Sequence, residues 1–168
     1  IDNFLSENEF DVLLKNTIDR RAQTPFIMES NVEDNPRTRE NEEYWSWYMI
    51  HPVYYDDVPL SKIYSHLNEM FVPKFIDNAN FKTMIRIKIN AYPYTNEVKE
   101  HSEHTDYPFS HKGALFSLNT CDGYTKFNDG TKVESVANRI VFFDASKKHQ
   151  STTTSNAKLR YNINFNFL

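Results

Sequence analysis

The segment His101-Ser-Glu-His104-Thr-Asp106 sets two of the chain's six histidines beside two carboxylates. In extended backbone, side chains two positions apart share a face. His104 and Asp106 can therefore offer an imidazole nitrogen and a carboxylate oxygen to one ion. His101 and Glu103 form a second pair of the same spacing. A third ligand has to come from elsewhere, and His149, just beyond a strand-like run ending at Phe143, is the candidate. Two imidazoles and one carboxylate on one side of a divalent transition metal leave its other positions open, an arrangement suited to iron(II) and O2. Eleven positions past His149, Arg160 opens the final strand-like run on its polar face. A buried guanidinium there would pair bidentately with a carboxylate.

Positioning these groups falls to the second half of the chain. Met84 to Tyr92 alternates, with Ile85, Ile87, Ile89 and Ala91 on one face and Arg86, Lys88, Asn90 and Tyr92 on the other. Ala114–Asn119, Tyr124–Phe127, Lys132–Val136, Arg139–Phe143 and Leu159–Phe167 are further short runs rich in aromatic and β-branched residues. Asn128-Asp129-Gly130 marks a tight hairpin between two of them. The last run sets Tyr161, Ile163, Phe165 and Phe167 against Arg160, Asn162, Asn164 and Asn166, predicting one packed face and one polar face. The first half reads as helical and connecting. Ser6-Glu7-Asn8-Glu9 is a capping box ahead of an amphipathic helix. Residues 19–42 form a polar connection, and a second helix from about Ser61 runs until Pro73 interrupts it. Helices followed by many short antiparallel strands imply a mainly β, α+β domain: a sandwich or barrel over 82–168, buttressed by residues 1–81.

Composition narrows the chemistry. At 168 residues, 39% hydrophobic and 25% charged, the chain is a single globular domain. Three glycines, none in a phosphate-binding pattern, set aside the common nucleotide-binding loops. One cysteine, Cys121, excludes an internal disulfide and a thiolate zinc cluster and fits a reducing compartment. There is no membrane-length apolar run and no basic-then-apolar leader pattern, so the expected location is cytoplasmic. The net charge of −4 divides unevenly: residues 1–84 carry 8 Lys/Arg and 15 Asp/Glu, residues 85–168 carry 11 and 8. A mildly basic second half suits a small dianion better than a nucleic acid, which calls for a denser basic stripe.

Taken in order, Ala91-Tyr92-Pro93, His104-Thr-Asp106-Tyr-Pro, Leu115-Phe-Ser-Leu-Asn119, Asn138-Arg-Ile-Val-Phe-Phe143, His149 and Arg160-Tyr161 resemble the 2-oxoglutarate/Fe(II)-dependent oxygenase superfamily. The similarity is to its prolyl-4-hydroxylase-like branch, including small phage and bacterial members, and covers residues 84–168. It implies a double-stranded β-helix, or jelly roll, with His104, Asp106 and His149 holding iron. It further implies Arg160 pairing with the far carboxylate of 2-oxoglutarate, supported by the hydroxyl of Tyr92, with Tyr94 as a rival. Ser117 stands where some relatives place another tyrosine, and Asn164 or Asn166 is the substitute donor. The implied reaction is a hydroxylation with O2 that converts 2-oxoglutarate to succinate and admits ascorbate as auxiliary reductant. The branch points to a peptidyl proline, another amino-acid side chain or a small metabolite as substrate, and away from nucleic acid.

Weighed singly, most of these residues have plainer readings. His51 and His66 are expected to be structural, His111 a surface-loop histidine, and His101 a loop or substrate-facing residue. Trp45, Trp47, Tyr48, Tyr54 and Tyr55 are expected to pack a helical layer onto the sheet, in preference to forming a substrate lid. The competing function is a non-redox cupin-like metal- or sugar-binding protein or isomerase, and Arg160 discriminates, because such a barrel needs no carboxylate clamp there.

Overall fold

The structure, a computed structural model, describes residues 1–19, 22, 24–30 and 45–168. Most of the polar connection read over 19–42 lies outside the described residues. Helix α1 (Glu7–Thr17) starts as expected: Ser6 accepts from the Glu9 backbone while the Glu9 side chain caps Ser6. Helix α2 spans Tyr64–Ala79 and passes through Pro73 instead of ending there. Pro73 is exposed, whereas Phe71 and Phe75 on either side are fully buried. Their burial in one core offsets the hydrogen bond that the proline removes. The helix ends at Asn80, which is left-handed (φ 49°).

The strands are β1 (Ile27–Glu29), β2 (Tyr48–Tyr55), β3 (Val58–Pro59), β4 (Met84–Pro93), β5 (Lys112–Ser117), β6 (Tyr124–Phe127), β7 (Lys132–Glu134), β8 (Arg139–Asp144), β9 (His149–Gln150) and β10 (Leu159–Phe167). A large antiparallel sheet has the order β1-β2-β4-β10-β5-β8, with β3 on β2, and a small one the order β7-β6-β9. The two make the double-stranded β-helix. The first half thus supplies strands as well as helices: of the aromatic stretch read as helical-layer packing, Tyr48, Tyr54 and Tyr55 lie on β2, hydrogen-bonded to β4, and Trp45 and Trp47 precede it. His51 on β2 is structural as expected, with Pro25 O and Ser61 Oγ each 2.7 Å from its ring nitrogens.

Strand β10 is buried on both faces. Ile163, Phe165 and Phe167 point to the helical side, where Phe165 lies 4.7 Å from Phe71 and Phe167 lies 5.2 Å from Phe75, centroid to centroid. Leu67, Phe116, Ile87 and Ile89 complete this apolar layer. The alternate residues Arg160, Asn162, Asn164 and Asn166 are also buried, on the face that meets the small sheet. A strand whose second buried face is polar has to satisfy those groups locally, and the site is built from them.

Candidate functional site

His104, Asp106 and His149 each offer a ligand atom, all within 4.8 Å of one another. Paired backbone holds them there: His104 and His149 exchange N–H···O bonds of 2.9 Å as an isolated antiparallel bridge. Each imidazole has Nδ1 near a carbonyl two residues back, Lys147 O at 3.0 Å for His149 and Ser102 O at 3.4 Å for His104. With the proton on Nδ1, both rings turn Nε2 lone pairs toward the shared point. Burial, with His149 and Lys88 nearby, lowers the His104 pKa to about 4, so this ring is neutral, as a ligand must be.

Asp106 is held from several sides. Arg86 Nη2 donates to Oδ1 at 2.5 Å, while Asn166 and Asn164 donate to Oδ2 at 2.9 and 3.3 Å. Burial alone would raise this carboxyl, but Arg86, Lys88, His149 and Asn166 together hold it well below the usual range. A carboxylate and two imidazoles in this geometry are a donor set that fits a divalent transition metal. His101 and Glu103, the rival pair, do not join it: His101 is buried elsewhere and Glu103 is exposed.

A cavity of about 880 Å³ opens on the triad. Tyr48, Pro52, Tyr54, Tyr55 and Leu60 from the first half line it, with Arg86, Lys88, Asn90 and Tyr92 from β4. Asn162, Asn164, Thr125 and Ser151 line it from β10 and the small sheet. Arg160 lies beyond them, 1% exposed. Its Nη1 donates to Thr152 O at 3.2 Å and its Nη2 to Thr125 Oγ1 at 2.8 Å, while Nε has no partner among the described residues. Among the described residues no carboxylate pairs with it. Burial pulls its pKa down, yet a guanidinium remains a cation.

Tyr92 is buried with its ring 5.3 Å from Arg160 Cζ, whereas Tyr94 is 52% exposed. Ser117 is buried directly across from Asn162. Asn164 and Asn166, expected as substitute donors near Arg160, turn their amides to Asp106. They lie four and six residues along the strand from Arg160, about 13 and 20 Å. Asn162, between them and Arg160, instead has a buried Nδ2 without a partner among the described residues. His111 is not a surface residue: it is 4% exposed and packed against Tyr107 and Phe109. Sequence reasoning missed Arg86, Asn162, Thr125 and Ser151. The period-2 pattern had put Arg86 on the face of Tyr92 and Asn162 on the face of Arg160, which was the available signal.

No family model matches the chain, and no curated protein matches it in sequence. Solved structures do match its fold. A prolyl-4-hydroxylase from Pseudomonas putida is 16% identical over 99% of this chain and 90% of its own, with a TM-score of 0.64. A prolyl hydroxylase from Trichoplax adhaerens, solved with a hypoxia inducible factor oxygen degradation domain peptide fragment, is 18% identical over 99% and 81%, at 0.65. The viral collagen prolyl hydroxylase of Paramecium Bursaria Chlorella virus-1, solved with 2OG, is 14% identical over 100% and 94%, at 0.61. The fold is that of these prolyl hydroxylases. No helix among the described residues is long and apolar enough to cross a membrane.

Proposed function

We propose that the chain is an Fe(II)- and 2-oxoglutarate-dependent hydroxylase acting on a peptidyl proline or another amino-acid side chain. The observation that carries this reading is the buried guanidinium of Arg160, without a carboxylate partner among the described residues, beyond a His-Asp-His cluster that lines one cavity. A buried cation without a counter-ion is costly, and an incoming carboxylate relieves that cost. A non-redox metal-binding barrel has no use for it.

In this reading His104, Asp106 and His149 hold the metal. Iron(II), with 2-oxoglutarate and O2, supplies an oxidative decarboxylation to succinate and CO2 coupled to hydroxylation of the substrate. Arg160 pairs with the far carboxylate, Tyr92 buttresses the guanidinium, and the Asn162 amide donates from the same floor. Ser117, buried across from Asn162, stands beside that floor. Tyr48, Tyr54, Tyr55, Pro52 and Leu60 wall the cavity and shield the reacting end from water. The fold neighbour solved with a peptide supports a peptide substrate for this chain.

The test is succinate release by the purified chain with Fe(II), 2-oxoglutarate, O2 and ascorbate, across proline-containing peptides and free amino acids. Substrate-dependent succinate supports the reading. If the metal-loaded chain fails to bind 2-oxoglutarate anaerobically, the cupin-like alternative takes its place.

A further inference from the structure

The buried cluster around Arg160 holds a third nitrogen without a partner among the described residues, beside Arg160 Nε and Asn162 Nδ2. His101 is 3% exposed, and its Nε2 has no hydrogen bond among the described residues. The ring is fixed on every other side. Trp45 and Tyr92 lie 5.3 and 5.4 Å from it, centroid to centroid, and Nδ1 is 3.1 Å from Ser151 Oγ. Its backbone N–H donates to Ser151 O at 2.9 Å. Arg160 is anchored on the next residue, Thr152, and contacts the same Tyr92 ring. His101 and Arg160 are therefore neighbours across one tyrosine and one two-residue stretch, Ser151-Thr152, and Ser151 lines the cavity.

Burial, with Arg160 close by, lowers the His101 pKa to about 4, so the ring is neutral at physiological pH. A neutral imidazole carries one N–H. If the Ser151 hydroxyl donates to Nδ1, that proton sits on Nε2 and makes it a donor. Buried polar atoms are almost always hydrogen-bonded, and one held rigidly without a partner beside an unpaired cation is ready for an anionic acceptor. Ser117 offers a short side chain where a tyrosine could have donated.

We propose that His101 is a co-substrate-binding residue, its Nε2–H donating to the far carboxylate of the 2-oxo dicarboxylate alongside Arg160. The inference rests on the hydroxylase reading and adds to it a residue outside the metal cluster.

The experiment compares two ligands on the zinc-loaded full chain, where zinc is redox-silent and diamagnetic. One is 2-oxoglutarate; the other is 2-oxopentanoate, which keeps the 2-oxo acid and chain length but lacks the far carboxylate. His101→Phe keeps an aromatic ring and cannot donate. It should weaken 2-oxoglutarate about tenfold, the scale of one hydrogen bond to a charged group, and leave 2-oxopentanoate unchanged. His101→Gln should recover part of the loss, because its amide can donate. In the wild type, nitrogen-edited NMR should show the Nε2 proton protected from exchange with 2-oxoglutarate and not with 2-oxopentanoate, a readout that needs no variant to fold. Equal losses for the two acids, no loss at all, or an unchanged Nε2 signal would overturn the proposal while leaving the hydroxylase reading in place. A wild type that binds neither acid overturns both.

Discussion

Arg86 Nη2 lies 2.5 Å from Asp106 Oδ1, and the contact is locked by a third residue. Asn166, directly across from Arg86 in the β4–β10 pairing, accepts from Arg86 Nε at 3.0 Å and donates to Asp106 Oδ2 at 2.9 Å. The carboxylate therefore has a fixed plane before any ion arrives. One oxygen is committed to a guanidinium, and the other lies 3.8 Å from His149 Nε2. Arg86 also stands over the Tyr107 ring at 4.9 Å, which keeps it from swinging away.

This arrangement makes Arg86 a stability residue in the metal-free protein. The Asp106 side chain is 2% exposed and that of Arg86 16%, so Arg86→Ala strands a buried negative charge. We expect a loss of about 3 kcal/mol, the lower end for breaking a buried pair. A divalent metal supplies the missing positive charge and should restore part of it. Urea unfolding with and without zinc measures both effects. Equal stability of wild type and variant without metal would remove Arg86 from this role.

The purified chain should bind one divalent transition metal, and His104→Ala, Asp106→Ala and His149→Ala should each abolish stoichiometric binding. His101→Ala should retain it, because His101 lies outside the cluster. Metal content after dialysis decides the matter; full occupancy in all three variants contradicts the assignment.

Acid should destabilise the metal-free protein in a defined window. Burial lowers His101 and His104 to about 4, against an ordinary value of 6.5. Between those values the unfolded chain binds protons that the folded chain does not. Stability is thus fully present above pH 6.5 and falls as pH drops toward 4, by up to about 1.4 kcal/mol per pH unit for each histidine. His101→Gln should remove one share of the slope. Unfolding free energies at pH 7, 6 and 5 test the sign, and a flat profile would contradict it.

Arg160→Ala should weaken 2-oxoglutarate binding about a hundredfold, since a charge-assisted bidentate pair in a dry pocket is worth roughly 3 kcal/mol. Arg160→Lys should recover part, returning the charge but not the planar fork. Metal binding should be unchanged in both. Anaerobic titration of the metal-loaded proteins reads this directly, and equal affinity for wild type and Arg160→Ala would remove the reason for placing a co-substrate here.

Gly123 offers an indirect perturbation of the same group. A Cβ there would lie 2.6 Å from Arg160 Cδ and 2.6 Å from the Thr153 carbonyl oxygen. Relieving both contacts requires Arg160 and the Thr152–Thr153 backbone that anchors it to move together, so Gly123→Ala should displace Arg160 and reduce 2-oxoglutarate affinity severalfold without altering metal stoichiometry. Unchanged affinity would mean that the pocket tolerates the shift.

The parts of the site that follow from local periodicity were legible in the sequence. His104 and Asp106 share a face because they are two apart, and the alternation of β10 separates Phe165 and Phe167 from Arg160 and Asn162 without reference to any other strand. The Ser6–Glu9 box is equally local. Tertiary structure alone decided which polar residues meet. Arg86 reaches Asp106 across 20 positions and Asn166 reaches it across 60, through strand order and register that no local pattern encodes. The same cause separates Asn164 from Asn162: both lie on one face of β10, and only the position of Asp106 along that strand shows that the Asn164 amide is engaged while the Asn162 Nδ2 has no partner among the described residues. Pro73 stays in its helix because Phe71 and Phe75 on either side are buried in a core built by other strands, and β2 pairs with β4 across more than thirty positions; His111 is buried by its near neighbours Tyr107 and Phe109. Local composition reports preference, whereas burial is a property of what packs on top.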